Sequence, residues 1–109
     1  MAFTSFRAGS GDYQAVRPLT LTISKINAFS TSVETYSVAA ANIVSGSVAD
    51  LDKDSLCLAE FAAPLTVGTG LILENSYIAT AGVLTLVYYN ETAADITPAA
   101  ATQVNLLVL

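Results

Sequence analysis

Apolar and polar residues alternate most regularly in Leu19-Thr20-Leu21-Thr22-Ile23-Ser24-Lys25. Successive side chains leave opposite faces of a strand, so this run predicts a strand with one covered and one wet face. Val83-Leu84-Thr85-Leu86-Val87-Tyr88-Tyr89-Asn90 is different, because both of its faces are largely apolar. Val83, Thr85, Val87 and Tyr89 share one side, and Leu84, Leu86 and Tyr88 share the other, which predicts a strand covered on both faces. Thr80-Ala81-Gly82 reads as a turn that joins this strand to Leu71-Ile72-Leu73 and Tyr77-Ile78-Ala79 as a β-hairpin.

The remaining runs are shorter. Thr31 to Val38 predicts a strand whose apolar members are Val33, Tyr36 and Val38, and the phase slip between Val33 and Tyr36 marks a bulge. Ala39-Ala40-Ala41-Asn42 is too short for a stable helix and reads as a connection. Ile43 to Val48 supplies a short strand. Ser55 to Phe61 supplies another, with Leu56 and Leu58 on one face, Cys57 and Phe61 on the other, and Pro64 ending it. Val67-Gly68-Thr69-Gly70 is a turn. Thr102 to Leu109 closes the chain as a strand, with Val104, Leu106 and Val108 in phase and Leu107 and Leu109 opposite. Seven to eight short strands, split by Gly, Pro, Asn and Asp turns and with no helix of ten residues, predict an all-β fold. It is an antiparallel β-sandwich or a small barrel.

Residues 1–18 lack that order. Gly9-Ser10-Gly11-Asp12 and Pro18 disfavour regular structure, so these residues are expected to form an extended N-terminal arm before a single domain at 19–109. Phe3, Phe6 and Tyr13 follow neither a helix nor a strand period. Such a segment is either a loosely held tail or an arm that docks its aromatics on a neighbouring subunit.

Composition sharpens the picture. Of the 109 residues, 53% are hydrophobic and only 12% are charged, about half the usual ~25%. No apolar run reaches the ~18 residues of a membrane span, so the excess predicts interfaces between subunits. The net charge of −5 is uneven, at +1 through Pro18 and −6 beyond it. An acidic body argues against nucleic acid, which needs clustered Lys and Arg. A single cysteine, Cys57, rules out an intrachain disulfide. Met1 to Arg7 lacks the basic-then-apolar pattern of a signal peptide, which fits assembly inside a cell.

Candidate chemistry is sparse. Asp50, Asp52 and Asp54 alternate like the start of a calcium loop, but Ser55 stands where such a loop needs Gly, and Phe61 where it needs a bidentate Glu. A solvated turn is the better reading. Asn90-Glu91-Thr92 fits the glycosylation sequon, yet it reads more simply as a strand-ending turn. The chain has no histidine, which removes Ser-His and Cys-His catalysis. Cys57, between Leu56 and Leu58, reads as a small buried hydrophobe. Glu60 and Glu74 are not placed opposite one another by anything in the sequence. Gly68-Thr69-Gly70 lacks the third glycine of a dinucleotide fingerprint. The expectation is a non-enzyme with no cofactor, no metal site, no nucleic acid and no membrane partner, because acid–base work would rest on carboxylates and tyrosines alone.

From Asp54 onward the chain resembles capsid decoration, or cement, proteins of tailed phages. The resemblance runs through Ser55-Leu56-Cys57-Leu58, Ala63-Pro64-Leu65, Gly70-Leu71-Ile72-Leu73, Ala81 to Asn90, Asp95 to Ala100 and the terminal strand, about half the chain. It implies a β-rich homotrimer on the outside of an icosahedral head. Such a protein is assembled in the host cytoplasm, binds the major capsid protein and clamps neighbouring shell subunits. On that reading Phe3, Phe6, Arg7, Tyr13 and Arg17 are the expected contact residues. A second reading is a tail-tip or fibre recognition module that binds a cell-surface glycan through Tyr36, Tyr77, Tyr88 and Tyr89. The absence of tryptophan weighs against it.

Overall fold

In the computed structural model, residues 15–62, 70–98 and 100–108 are described. They hold seven strands: β1 (Ala15–Leu21), β2 (Thr31–Tyr36), β3 (Ile43–Ser45), β4 (Cys57–Phe61), β5 (Leu71–Thr80), β6 (Val83–Asn90) and β7 (Thr102–Val108). Every ladder between them is antiparallel. One sheet has the order β3-β1-β7-β4 and the other β2-β6-β5. The predicted all-β architecture is therefore present as a two-sheet sandwich.

The alternating pattern explains which faces meet. Leu19 and Leu21 of β1, with Val104 and Leu106 of β7, join Tyr36 of β2 and Leu84, Leu86 and Tyr88 of β6 in one buried cluster. Ile23, Ile26, Val48, Leu51 and Ile96 add to it from the connections. The β5–β6 hairpin forms as expected, with Thr80 opposite Val83 and Ala81-Gly82 as the turn. Gly82 takes a φ of 75°, a left-handed conformation open to glycine at little cost. Its N–H donates to Leu51 O at 2.9 Å.

β4 and β5 share no ladder; side-chain and loop bonds link them instead. Ala59 N donates to Ser76 Oγ at 3.2 Å, and Asp54 N donates to Ile78 O at 2.8 Å. The sheets touch along this side without merging, so the fold is a sandwich and not a closed barrel.

Two expectations need correction. The first concerns where the domain starts. Ala15 to Pro18, expected in the arm, are the first four residues of β1 and pair with Val108 through Asn105. β3 reaches only Thr20 and Leu21, so among the described residues the earlier part of β1 is paired on one side only, a position where a proline is tolerated. The second concerns β2. It keeps an unbroken register with β6 from Thr31↔Tyr89 to Tyr36↔Leu84, with no bulge. Val33 and Val38 face solvent, while Ser32, Glu34 and Tyr36 turn inward. The irregularities lie instead in β5 and between Thr20 and Leu21.

Candidate interaction faces

The outer face of the three-stranded sheet can be read from its register. Thr31, Tyr89 and Ile72 form one cross-strand row, Val33, Val87 and Asn75 the next, and Thr35, Thr85 and Tyr77 a third. None of these residues is charged. Val33 is 61% exposed, Ile72 42% and Tyr77 40%. The four-stranded sheet presents Val16–Leu107–Leu58, then Pro18–Asn105–Glu60, then Thr20–Gln103. Val16 is 65% exposed and Leu58 64%. Glu60 is the one charge among these positions.

The other charges sit elsewhere. Lys25, Asp50, Asp52, Lys53, Asp54, Glu91 and Asp95 lie outside the strands. Glu34 turns inward, and Glu74 occupies the β5 irregularity between Leu73 and Asn75. A sandwich that faces water usually places polar and charged residues outward along each strand. Here the loops carry the charge and the flat faces carry Val, Leu, Ile, Tyr and Thr. Phe29 adds to this. It is exposed in the turn before β2, with a φ of 51°. A bulky side chain in that conformation costs of order 1 kcal/mol, and the turn holds it with Phe29 N donating to Thr92 O at 3.1 Å.

Inside, the polar groups are engaged. Tyr36 OH donates to Glu34 Oε1 at 2.7 Å, and the Tyr88 hydroxyl lies 2.9 Å from Tyr36 OH. Because Tyr36 spends its proton on the carboxylate, Tyr88 is the donor to Tyr36. Phe61 stacks on Tyr88 with ring centroids 6.3 Å apart. Burial is the main cause that raises both phenol pKa values above the ordinary range. Tyr36 and Tyr88 are therefore core residues and leave the set of surface tyrosines. Tyr77 and the half-buried Tyr89 remain on the outer face.

Asn90 is a second internal hub and has no exposed surface. Its Nδ2 donates to Ile26 O at 3.1 Å and Ala94 O at 2.8 Å. Its Oδ1 accepts from Thr92 N at 2.9 Å and Thr92 Oγ1 at 2.7 Å. These bonds tie the end of β6 to the loops on either side, and they leave the amide of the sequon inaccessible to a glycan. Its place at a strand end was legible from sequence, but its burial was not. The Asn-x-Thr spacing, which suits an Asx-type turn, was the available signal.

Of the expected contact residues, Phe3, Phe6, Arg7 and Tyr13 lie outside the described residues. Arg17 is engaged within the chain. Its Nη1 donates to Asp50 Oδ1 at 2.6 Å and Ser47 O at 3.1 Å, and its Nη2 donates to Asp50 Oδ2 at 3.2 Å. The guanidinium holds the Asp50 carboxyl below the usual carboxylate range. Asp54 pairs with Lys53 at 2.8 Å, so two of the three alternating aspartates have cationic neighbours. Among the described residues, no group of three or more Cys, Asp or Glu is placed to hold a metal ion. Burial pushes the Cys57 thiol up, the opposite of what an activated nucleophile needs.

The register thus leaves two outer sheet faces on which Glu60 is the one charge among the paired positions. Comparison with known proteins adds nothing to that geometry, because no family model, no curated protein and no solved structure matches the chain.

Proposed function

We propose that this chain is a structural virion protein, a capsid decoration protein that binds the outside of an icosahedral phage head as a homotrimer and strengthens contacts between shell subunits. The observation that carries the reading is the sandwich's nearly uncharged pair of outer faces. Apolar faces of this kind gain free energy when covered, at roughly 25 cal/mol per Å² of apolar area removed from water. A sister chain and the shell are the covers the reading supplies. Several modest contacts then act together through effective concentration. Phe3, Phe6, Arg7 and Tyr13 are the further contacts of this reading. Arg17 contributes by holding the Ser47–Asp50 turn against β1.

The test uses native heads of the phage that carries the gene, stripped of decoration. The protein is expected to co-sediment with assembled heads but not with dispersed shell subunits, and to raise the temperature at which heads release DNA. Failure to bind heads, together with capture on a glycan array, overturns the reading. That outcome favours a recognition module, for which exposed Tyr77 is the supporting observation.

A further inference from the structure

We propose that the free edge of β2 pairs with the same edge of a second copy, about a twofold axis at Val33, and joins their three-stranded sheets into one. The contact goes beyond the proposed function. It runs in the plane of the sheet, through the main chain, and leaves the flat outer faces free.

One bond fixes which way the main chain of β2 points. Asn90 N donates to Ser30 O at 3.0 Å. In the antiparallel register with β6, the residues that bond across the ladder are therefore Ser32, Glu34 and Tyr36. Thr31, Val33 and Thr35 direct their N–H and C=O groups the other way. Among the described residues these groups have one partner, Asn42 Nδ2, which donates to Thr35 O at 2.7 Å.

The other edges are covered or interrupted. β4 and β5 cover each other through Ser76 and Asp54. β3 is three residues long, and the stretch of β1 beyond it contains Pro18. β2 has six residues, no proline and no bulge. Its one charge, Glu34, turns inward to Tyr36 OH and Ser24 N. An edge this plain is a template for another strand.

Self-complementarity selects a second copy as that strand. With the axis at Val33, the two Val33 residues exchange their main-chain bonds. Thr31 exchanges with Thr35 of the second copy, whose carbonyl has a lone pair besides the one Asn42 uses. The outer face gains Val against Val and Thr against Thr, β-branched pairs that suit a sheet. On the inner face Glu34 meets Ser32, so two chains of net charge −5 set no like charges opposite one another along the edge. Phe29 and Val38, 63% and 58% exposed, lie beyond opposite ends of β2, four residues before Val33 and five after it. The same axis brings the Phe29 end of each copy to the Val38 end of the other. Six-residue edges bury far less than the ~1,200–2,000 Å² of a stable interface. The pairing is therefore weak at micromolar protein and forms where copies are crowded together, as on a common surface.

Residue-resolved amide hydrogen exchange and sedimentation test it together, from about ten micromolar to about one millimolar, where so small a contact closes. Across that range exchange at Thr31 and Val33 is expected to slow about fivefold or more, and the mean particle mass to rise about twofold or more. Ser32 and Glu34, bonded to β6, stay slow throughout. Thr31→Pro removes an outward N–H at the first position of a strand, where proline is tolerated, and should abolish both changes. Phe29→Asn suits the left-handed φ of 51° and should raise the concentration at which the mass grows by about threefold or more. If Thr31→Pro lowers the melting temperature of the dilute protein, Phe29→Asn carries the test. Exchange at Thr31 and Val33 that is independent of concentration overturns the proposal. Growth in mass without slower exchange there also overturns it, by assigning the association to another surface. The particle's size at micromolar concentration bears on the trimer reading alone, because growth is counted from that particle whatever its size.

Discussion

The inner faces of the two sheets bury their residues by different chemistry. The four-stranded sheet relies mainly on aliphatic side chains, Leu19, Leu21, Val104 and Leu106, with Thr102 beside them. The three-stranded sheet mixes Leu84 and Leu86 with Tyr36, Tyr88 and Asn90, and adds half-buried Glu34. The aliphatic face contributes area and close packing, which tolerate exchange of similar volumes. The polar face contributes bonds that exist in one arrangement only. Tyr88, Tyr36 and Glu34 link β6 to β2, and Asn90 ties the β6 end to Ile26 and Ala94. One sheet is held mainly by apolar packing, and the other adds bonds that fix the register of its strands and the path of its loops.

Paired substitutions can break or sharpen that contrast. Leu106→Ala leaves a hole in the aliphatic face and should cost about 3 kcal/mol, within the 2–5 range of buried Leu truncations, read as a drop in denaturant midpoint. Asn90→Ala removes little volume yet leaves Thr92 N without its acceptor and takes one of two donors from Ile26 O and from Ala94 O, and should cost about 2 kcal/mol by the same measurement. A cost below ~0.5 kcal/mol would show that the polar hub is dispensable. Tyr36→Phe should cost about 1 kcal/mol, because it leaves the Tyr88 hydroxyl without its acceptor. The double variant Tyr36→Phe with Tyr88→Phe removes both partners and should be no worse than the single one.

The tyrosines also set the response to alkali. Both have folded pKa values raised above the ordinary tyrosine value of 10.0. The folded state thus keeps its phenol protons while the unfolded state loses them. Their contribution is fully present below about pH 10 and falls as the pH climbs through the folded values. Wild type should lose stability above pH 10 more steeply than the double Phe variant, as followed by melting temperature against pH. The smallest effect belongs to the surface pair. Asp50 has a lowered pKa beside Arg17, so its contribution is present above the unfolded value of 3.8 and fades as the pH falls through the folded one. Asp50→Asn should flatten the acid limb of the same profile slightly and leave the neutral region almost unchanged.

The two sheets also differ in how much of them the sequence disclosed. β1, β6 and β7 were legible because their inward residues are apolar and their spacing is two. The β5–β6 hairpin was legible because Ala81-Gly82 is a turn by its own chemistry. In β4 the alternation was legible as a pattern, but not which side is inside. Leu56 and Leu58, the larger pair, point to solvent, while Cys57 and Phe61 turn toward the core. β2 defeated the same logic. Its exposed member is Val33 and its inward members include Glu34, whose carboxylate is accommodated only because Tyr36 and Ser24 N reach it. Tyr36 stands two residues along the same strand and Ser24 ten residues before, and a pattern of apolar and polar positions does not register such hydrogen bonds. Pro18 failed for a related reason, because its place in β1 depends on how short β3 is. Part of the apolar excess lies on the outer faces, where Val33, Ile72, Tyr77, Val16 and Leu58 are all exposed.

The uncharged outer faces as contact surfaces are the core of this account, and sedimentation velocity tests them most directly. Wild-type protein at micromolar concentration should sediment as a trimer, and Val33→Lys with Ile72→Lys should sediment as a monomer that keeps the β-sheet circular dichroism of wild type and melts at a lower temperature. A wild-type chain that stays monomeric across the same range, indistinguishable from the double lysine variant, would contradict it.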